Sequence, residues 1–407
     1  MLPTETLLEI LGQDFLGPAD FARLCSVSRQ FRSVACNKLY SNVEAKCALD
    51  NDPWSRHSPV APETTKLLKT LKKSKDLADT VQIIRFAYHY DASASNYKSK
   101  IFNKVNFGRD HWIRLVNSFM EVAKKLTSVE INESRVSRLT MRLILASPNC
   151  PTHIDLSYSL SSPIYSPLSR STRLGGPTDP EEAAEQAQVD RGVQRLESFR
   201  CEGIGLYGSQ SEEADLTNRT PFSNLKELDI TGPIGIDKTG IEIQFKASDF
   251  PVLSTLRVPF IALDLLHPVQ LPTLKRLYLV APSTAAGCLK VKLERLCTFT
   301  SLPFLSIGIY MQQASIDSGL TQFFNDLPPL LTHLEFPNRV PFDLLLAAIS
   351  ATGRLSIGVT KPLAYEQGKK LRIERLRAAL QTSGGSVYYI RKEDTRREVS
   401  QLEPDFK

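Results

Sequence analysis

Ten times along this chain a short stretch reads apolar-x-x-apolar-x-apolar, and no other feature restricts its fold more. Full copies stand at Val81-Ile84-Phe86, Leu126-Val129-Ile131, Leu196-Phe199-Cys201, Leu225-Leu228-Ile230, Leu253-Leu256-Val258, Leu274-Leu277-Leu279, Phe304-Ile307-Ile309 and Leu331-Leu334-Phe336. Partial copies hold Ile154 with Leu156 and Ile357 with Val359. With starts at 81, 126, 151, 196, 225, 253, 274, 304, 331 and 354, seven of the nine intervals fall between 21 and 30 residues. Strand side chains alternate, so the apolar sites of each copy face a core and the residues between them face away. Regular spacing of this kind predicts stacked coils, each a short strand with a returning helix or loop. Several copies share a lead-in, as in Phe250-Pro251-Val252-Leu253 and Leu271-Pro272-Thr273-Leu274. Proline cannot join a strand ladder but can set the entry to one.

The first forty-odd residues follow a different rule. Leu7, Leu8 and Leu11 recur at helical spacing, then Phe21, Leu24 and Cys25 after Pro18, then Phe31, Val34, Ala35 and Leu39 after Ser28. Pro3 suits a first helical position and Glu5 the first turn. Three such helices cannot bury all this apolar surface against one another, so a partner must cover part of it. Leu2-Pro3 with Glu5, then Leu7, Leu8, Ile10 and Leu11, then Pro18, Asp20, Phe21 and Leu24 form an ordered set. Val27-Ser28-Arg29, Phe31-Arg32 and Leu39-Tyr40 complete it. The set resembles the F-box, the motif that docks substrate receptors of SCF-type ubiquitin ligases on a Skp-type adaptor. Gly12 to Leu16 is a residue or two longer than the usual link. The coils behind it resemble the degenerate leucine-rich repeats that follow many F-boxes, without that family's regular asparagine after the strand.

At 407 residues the chain exceeds what one core supports, so two domains or an elongated solenoid are expected. Its 42% hydrophobic and 23% charged residues are ordinary for a globular protein. The net charge of +6 is small for this length. Lysines cluster from Lys66 to Lys75, but the basic tail from Lys369 to Arg397 alternates with Glu374, Glu393 and Asp394, as a solvated helix face does. Nothing there calls for nucleic acid. The seven cysteines are odd in number, scattered and without a CxxC pair, which predicts small buried hydrophobes in a reduced, intracellular protein. The acidic start (Glu5, Glu9, Asp14) is read as no signal peptide, and no apolar run approaches a membrane span.

Signals for catalysis are weak. Gly203 to Gly208 matches GxGxxG after a predicted strand, but Glu212, Glu213 and Asp215 follow where a pyrophosphate would want positive potential. The six histidines show neither HxxxH nor HExxH spacing, and His153 and His333 are expected on the exposed face of strands. No catalytic residue, metal site or cofactor is expected.

The predicted fold class is α+β/α/β: an N-terminal three-helix F-box-like module followed by an open leucine-rich-repeat-like α/β solenoid. Expected boundaries are 1–45 for the module, 46–77 for a linker and lysine-rich helix, 78–390 for the solenoid, and 391–407 for a charged tail. Within the solenoid, residues 87–125 are expected to hold a loop at Asn103–Gly108 and then a helix carrying Trp112, Leu115, Val116, Phe119 and Val122. Residues 157–192, rich in Ser, Pro and Arg and then acidic, are expected to be a surface insertion, largely disordered up to about Glu182. The resemblance implies adaptor contacts at Leu2, Pro3, Ile10, Leu11, Val27, Ser28 and Phe31, with cullin and RING subunits reached through the adaptor. Reading one outward residue per coil gives Arg85, Glu130, Asp155, Arg200, Asp229, Arg257, Tyr278, Gly308 and Glu335. Of these, Arg200, Asp229, Arg257 and Tyr278 are expected to bind a protein target. The function so implied is a non-catalytic target-recognition subunit, cytoplasmic or nuclear. The alternative is a repeat scaffold outside ubiquitin transfer, and a nucleotide enzyme rests only on the glycine loop.

Overall fold

The computed structural model describes residues 18–48, 62–89, 105–132, 138–156, 180–201, 221–230, 248–259, 266, 271–280, 293–308, 327–337, 342–352, 355–359 and 369–389. The chain divides into two compact units, Met1–Phe222 and Ser223–Lys407.

In the first unit α1 (Pro18–Leu24) opens on its proline and carries Asp20 in the first turn. α2 (Arg29–Ser41) is capped by Ser28, whose hydroxyl accepts the Phe31 N–H at 3.2 Å. α2 runs directly into β1 (Asn42–Ala48), which pairs in parallel with β2 (Ile83–His89), Val43 opposite Ile84 and Ala45 opposite Phe86. Tyr40, Val43 and Ala45 therefore stand where Val81, Ile84 and Phe86 stand one coil later. The expected boundary after residue 45 falls inside this strand, and 46–48 belong to the sheet rather than to a linker. β3 (Ser128–Asn132), β4 (His153–Leu156) and β5 (Ser198–Cys201) follow in chain order, all parallel.

The outer edge of β1 is closed by α3 (Pro62–Lys73). The buried Thr64 hydroxyl accepts the Lys46 N–H at 2.7 Å and lies 3.0 Å from its carbonyl. The edge amide and carbonyl of Lys46 are thus both answered by one hydroxyl. The short α4 (Lys75–Ala78) then leads into β2. α5 (Val105–Val122) buries Leu115, Val116 and Phe119, as its periodicity predicts, and Phe119 meets Phe86 edge-to-face at 5.9 Å. This helix begins at Val105, so most of the expected 103–108 loop is helical.

Past β4, residues 157–179 lie outside the described residues, but the end of the expected insertion is helix. α7 (Pro180–Arg195) packs Val189 and Val193 inward against α6 (Arg138–Ala146). Small apolar residues at 189, 192 and 193 give it a buried stripe that the polar composition of the segment hides. Arg142 joins the two helices through Glu185 and Gln186, at 3.2 and 3.1 Å.

The second unit repeats the plan with shorter returns. β6 (Glu227–Ile230), β7 (Thr255–Pro259), β8 (Arg276–Val280), β9 (Phe304–Ile307), β10 (His333–Phe336), β11 (Ser356–Val359) and β12 (Ser386–Tyr389) lie in chain order, each parallel to the next. The connections include a 3-10 turn (Leu293–Thr298), α8 (Phe342–Thr352) and α9 (Lys369–Ser383). α9 ends on Gly384, whose φ of 71° is the left-handed conformation that a helix stop favours. Strands β2 to β11 are the ten copies seen in the sequence, and β1 and β12 extend them at either end.

The coils are held in step by carbonyls at the strand entrances. Gln82 O takes the N–H groups of Thr127 and Ser128 (2.8 and 3.0 Å), and Thr127 O those of Thr152 and His153 (3.0 Å each). Lys226 O does the same for Ser254 and Thr255 (2.9 Å each). One carbonyl receiving two successive amides satisfies both lone pairs and fixes the offset between coils. This ladder serves where the repeats lack a regular asparagine. Each unit is thus a leucine-rich-repeat-like α/β solenoid segment whose outward strand face lies open to inspection.

Candidate protein-binding face

In the first unit Arg85, Glu130, Asp155 and Arg200 are brought side by side by register. They resolve into two ion pairs, Arg85 Nε with Glu130 at 2.6 Å and Arg200 with Asp155 at 3.7 Å. In the second unit Asp229, Arg257 and Tyr278 adjoin in the same way. Arg257 Nε lies 3.8 Å from Asp229, and its guanidinium stands 4.8 Å from the centre of the Tyr278 ring. Three of the four expected target-binding residues therefore form one cluster, while Arg200 sits in the other unit with Asp155.

The expected row is wrong at one place. Leu305 and Ile307, not Ile307 and Ile309, align with Leu277 and Leu279. Ser306 therefore takes the position assigned to Gly308. The cause is Phe304, an apolar side chain on the outward face, which let the hydrophobic pattern fit two registers.

Sequence reasoning also passed over a second row on the same face, two residues earlier in each strand. In the second unit it runs Glu227, Thr255, Arg276, Phe304, His333, Ser356 and Ser386. This row is the accessible one. Glu227, Arg276, His333 and Ser386 are exposed, whereas Ser306 and Glu335 in the expected row are buried. Strand alternation alone could have found it.

Aromatic rings link the two rows. Tyr278 meets Phe304 at 5.1 Å, and Phe304 stacks on His333 at 6.3 Å. Burial, and then the Glu335 carboxylate, raise the Tyr278 hydroxyl pKa above its ordinary value. Burial and the neighbouring Arg276 hold His333 below the usual imidazole range. His333 Nδ1 is engaged by the Thr332 hydroxyl at 2.8 Å, a pairing repeated at Thr152 and His153 (2.7 Å) in the first unit.

Of the expected adaptor contacts, Leu2, Pro3, Ile10 and Leu11 lie outside the described residues. Val27 is 64% exposed, an uncommon position for a valine, in the turn between α1 and α2. Ser28 is the α2 cap and Phe31 is half-buried. The thiols of Cys25 and Cys36 meet at 3.4 Å across the two helices. The glycine loop 203–208 is also outside the described residues. Among those residues no group of three or more His, Cys, Asp or Glu is placed to hold a metal ion, and no helix is long and apolar enough to cross a membrane.

Residues 1–45 match the family described as F-box-like. No curated protein matches the sequence. Among solved structures the chain is similar to the leucine-rich repeat-containing protein LegL7 from Legionella pneumophila, at 12% identity and a TM-score of 0.43, over 89% of this chain and 93% of that one. The repeat assignment rests on strand order and register, not on that likeness. The chain is an F-box-like domain followed by leucine-rich-repeat-like coils.

Proposed function

We propose that this chain is the non-catalytic target-recognition subunit of an SCF-type ubiquitin ligase, working in the cytoplasm or nucleus. Its F-box-like domain would dock on a Skp-type adaptor and through it on cullin and RING subunits, and its outward strand face would hold a protein target. The observation that carries the reading is continuity. The F-box-like match ends at residue 45, inside β1, and no linker separates α2 from the sheet. A docking module whose last matched residues lie in the first strand is joined to the sheet of its own unit, β1 to β5. That is what a subunit contributing orientation and effective concentration needs.

The test is capture of purified Skp-type adaptor, then of cullin, by the full chain. Stoichiometric capture that is lost on replacing Leu2 and Pro3 by alanine supports the reading. Capture that survives the double replacement, or no capture by the native chain, removes it and leaves the scaffold reading.

A further inference from the structure

Resting on that reading, we infer that the outward face of β8–β10 takes an acidic segment of the target protein, an Asp or Glu carboxylate seated on Arg276 beside Phe304, with His333 at its edge. Arg276, Phe304 and His333 are consecutive in register on adjacent strands. Arg276 and His333 are exposed, and Phe304 between them is 9% exposed. Strands lie about 4.8 Å apart, so the two outer residues stand about 9.6 Å apart at the backbone, within the reach of a guanidinium leaning across the ring.

Charge selects the occupant. The positive charge of Arg257 is answered by Asp229 at 3.8 Å. Arg276 has no ion pair among the described residues and is free to make a two-pronged contact with a carboxylate. His333 adds a ring nitrogen, and burial with Arg276 disfavours its charged form. The Pro303 carbonyl receives the N–H groups of Thr332 and His333, at 2.8 and 3.0 Å. The Thr332 hydroxyl donates to that carbonyl at 3.0 Å and meets His333 Nδ1 at 2.8 Å. One exposed positive charge beside an aromatic ring suits a single carboxylate. A phosphate dianion would leave one charge unanswered near Glu335, whose carboxylate already acts on Tyr278. The first unit repeats the Thr–His pair but flanks His153 with Ser128 and Ser198, so it lacks the arginine.

The experiment uses the full chain and three immobilised peptide pools that differ at one fixed position, Glu, Gln or phosphoserine, within the same degenerate apolar mixture. The Glu pool is expected to be retained about tenfold better than the Gln pool, and the phosphoserine pool no better than Glu. Arg276→Gln should erase the preference for Glu, and His333→Ala should weaken it. Equal retention of Glu and Gln, preference for phosphoserine, retention of no pool, or an intact preference in Arg276→Gln overturns the inference. Adaptor capture by the same variants is read separately. Its loss in the native chain would sink the ligase reading and leave the peptide result standing.

Discussion

Arg257 holds its guanidinium 4.8 Å from the centre of the Tyr278 ring while its Nε faces Asp229 at 3.8 Å. One side chain thus joins the acidic start of the second unit's outward face to its aromatic centre. Both partners of the Arg257–Asp229 pair are about three-quarters covered, at 22% and 23% exposed. Removing one partner of such a pair leaves the other desolvated, so the residues read as a unit.

Tyr278→Ala is the first expected loss. It removes the surface on which Arg257 and Phe304 rest, and aromatic and cation–π contacts each contribute about 0.5–1.5 kcal/mol. Thermal unfolding should show a drop of about 1–3 kcal/mol, with Tyr278→Phe near native stability. If Tyr278→Ala is neutral, the ring is only a solvated ornament. Under the proposed function, Arg257→Ala with Tyr278→Ala should also abolish target capture and spare adaptor capture.

Much of this fold is legible in the sequence, and the failures share a cause. The ten copies are strands because their apolar spacing matches a pleated ribbon with one buried face. β1 escaped notice because its third apolar site is Ala45, too small to stand out, although it is fully buried against the sheet. The register of β9 slipped because Phe304 is apolar on the wrong face. α7 hid because its buried stripe is short and glycine-containing. In each case tertiary packing overrode the hydrophobic count. In the second unit the row singled out from the sequence is the less exposed of two, since pattern identifies the outward face but not which of its rows stays uncovered.

Gly192 offers a sharp test of the α6–α7 contact. A Cβ there would overlap the carbonyl of Leu145, which is backbone and cannot swing aside. Gly192→Ala should therefore force the helices apart despite alanine's higher helix propensity, costing about 1–3 kcal/mol. Chemical denaturation reads the change. A more stable variant would show that the helices can separate freely.

His333 should titrate below the ordinary imidazole value of 6.5, because burial and Arg276 both disfavour its charged form. The unfolded chain then binds the proton more readily than the folded one. This contribution to stability is complete above pH 6.5 and is lost as pH falls from there through the folded value. Proton NMR of the ring gives the titration directly. Arg276→Gln should move it upward, and no movement would mean that the two side chains do not sense each other.

Cys150 should resist alkylation in the native protein. Burial pushes its thiol up to about 12, so at pH 8 almost no thiolate exists. Iodoacetamide labelling followed by mass spectrometry should mark it only after denaturation. Rapid native labelling would mean that the α6–α7 packing above it opens readily.

The last test separates adaptor contact from helix stability at the α1–α2 turn. Val27 and Ser28 are neighbours with different tasks. The Val27 side chain is 64% exposed, with only its backbone N–H engaged among the described residues, by Leu24 O at 3.1 Å, whereas Ser28 caps α2 through the Phe31 N–H at 3.2 Å. Ser28→Ala should cost about 0.5–2 kcal/mol of folding stability through the lost cap. Any fall in adaptor capture would then be partly structural, and Ser28→Asp, which restores a cap acceptor, should recover the stability. Val27→Asp should leave the melting temperature where it is, because the side chain is already in water. If Val27 meets the adaptor as proposed, burying a charge there should weaken capture by tenfold or more, about 1.4 kcal/mol. Titration calorimetry of both variants against purified adaptor decides the matter. Native affinity in a folded Val27→Asp chain would take this turn out of the interface and leave docking to the residues before Pro18.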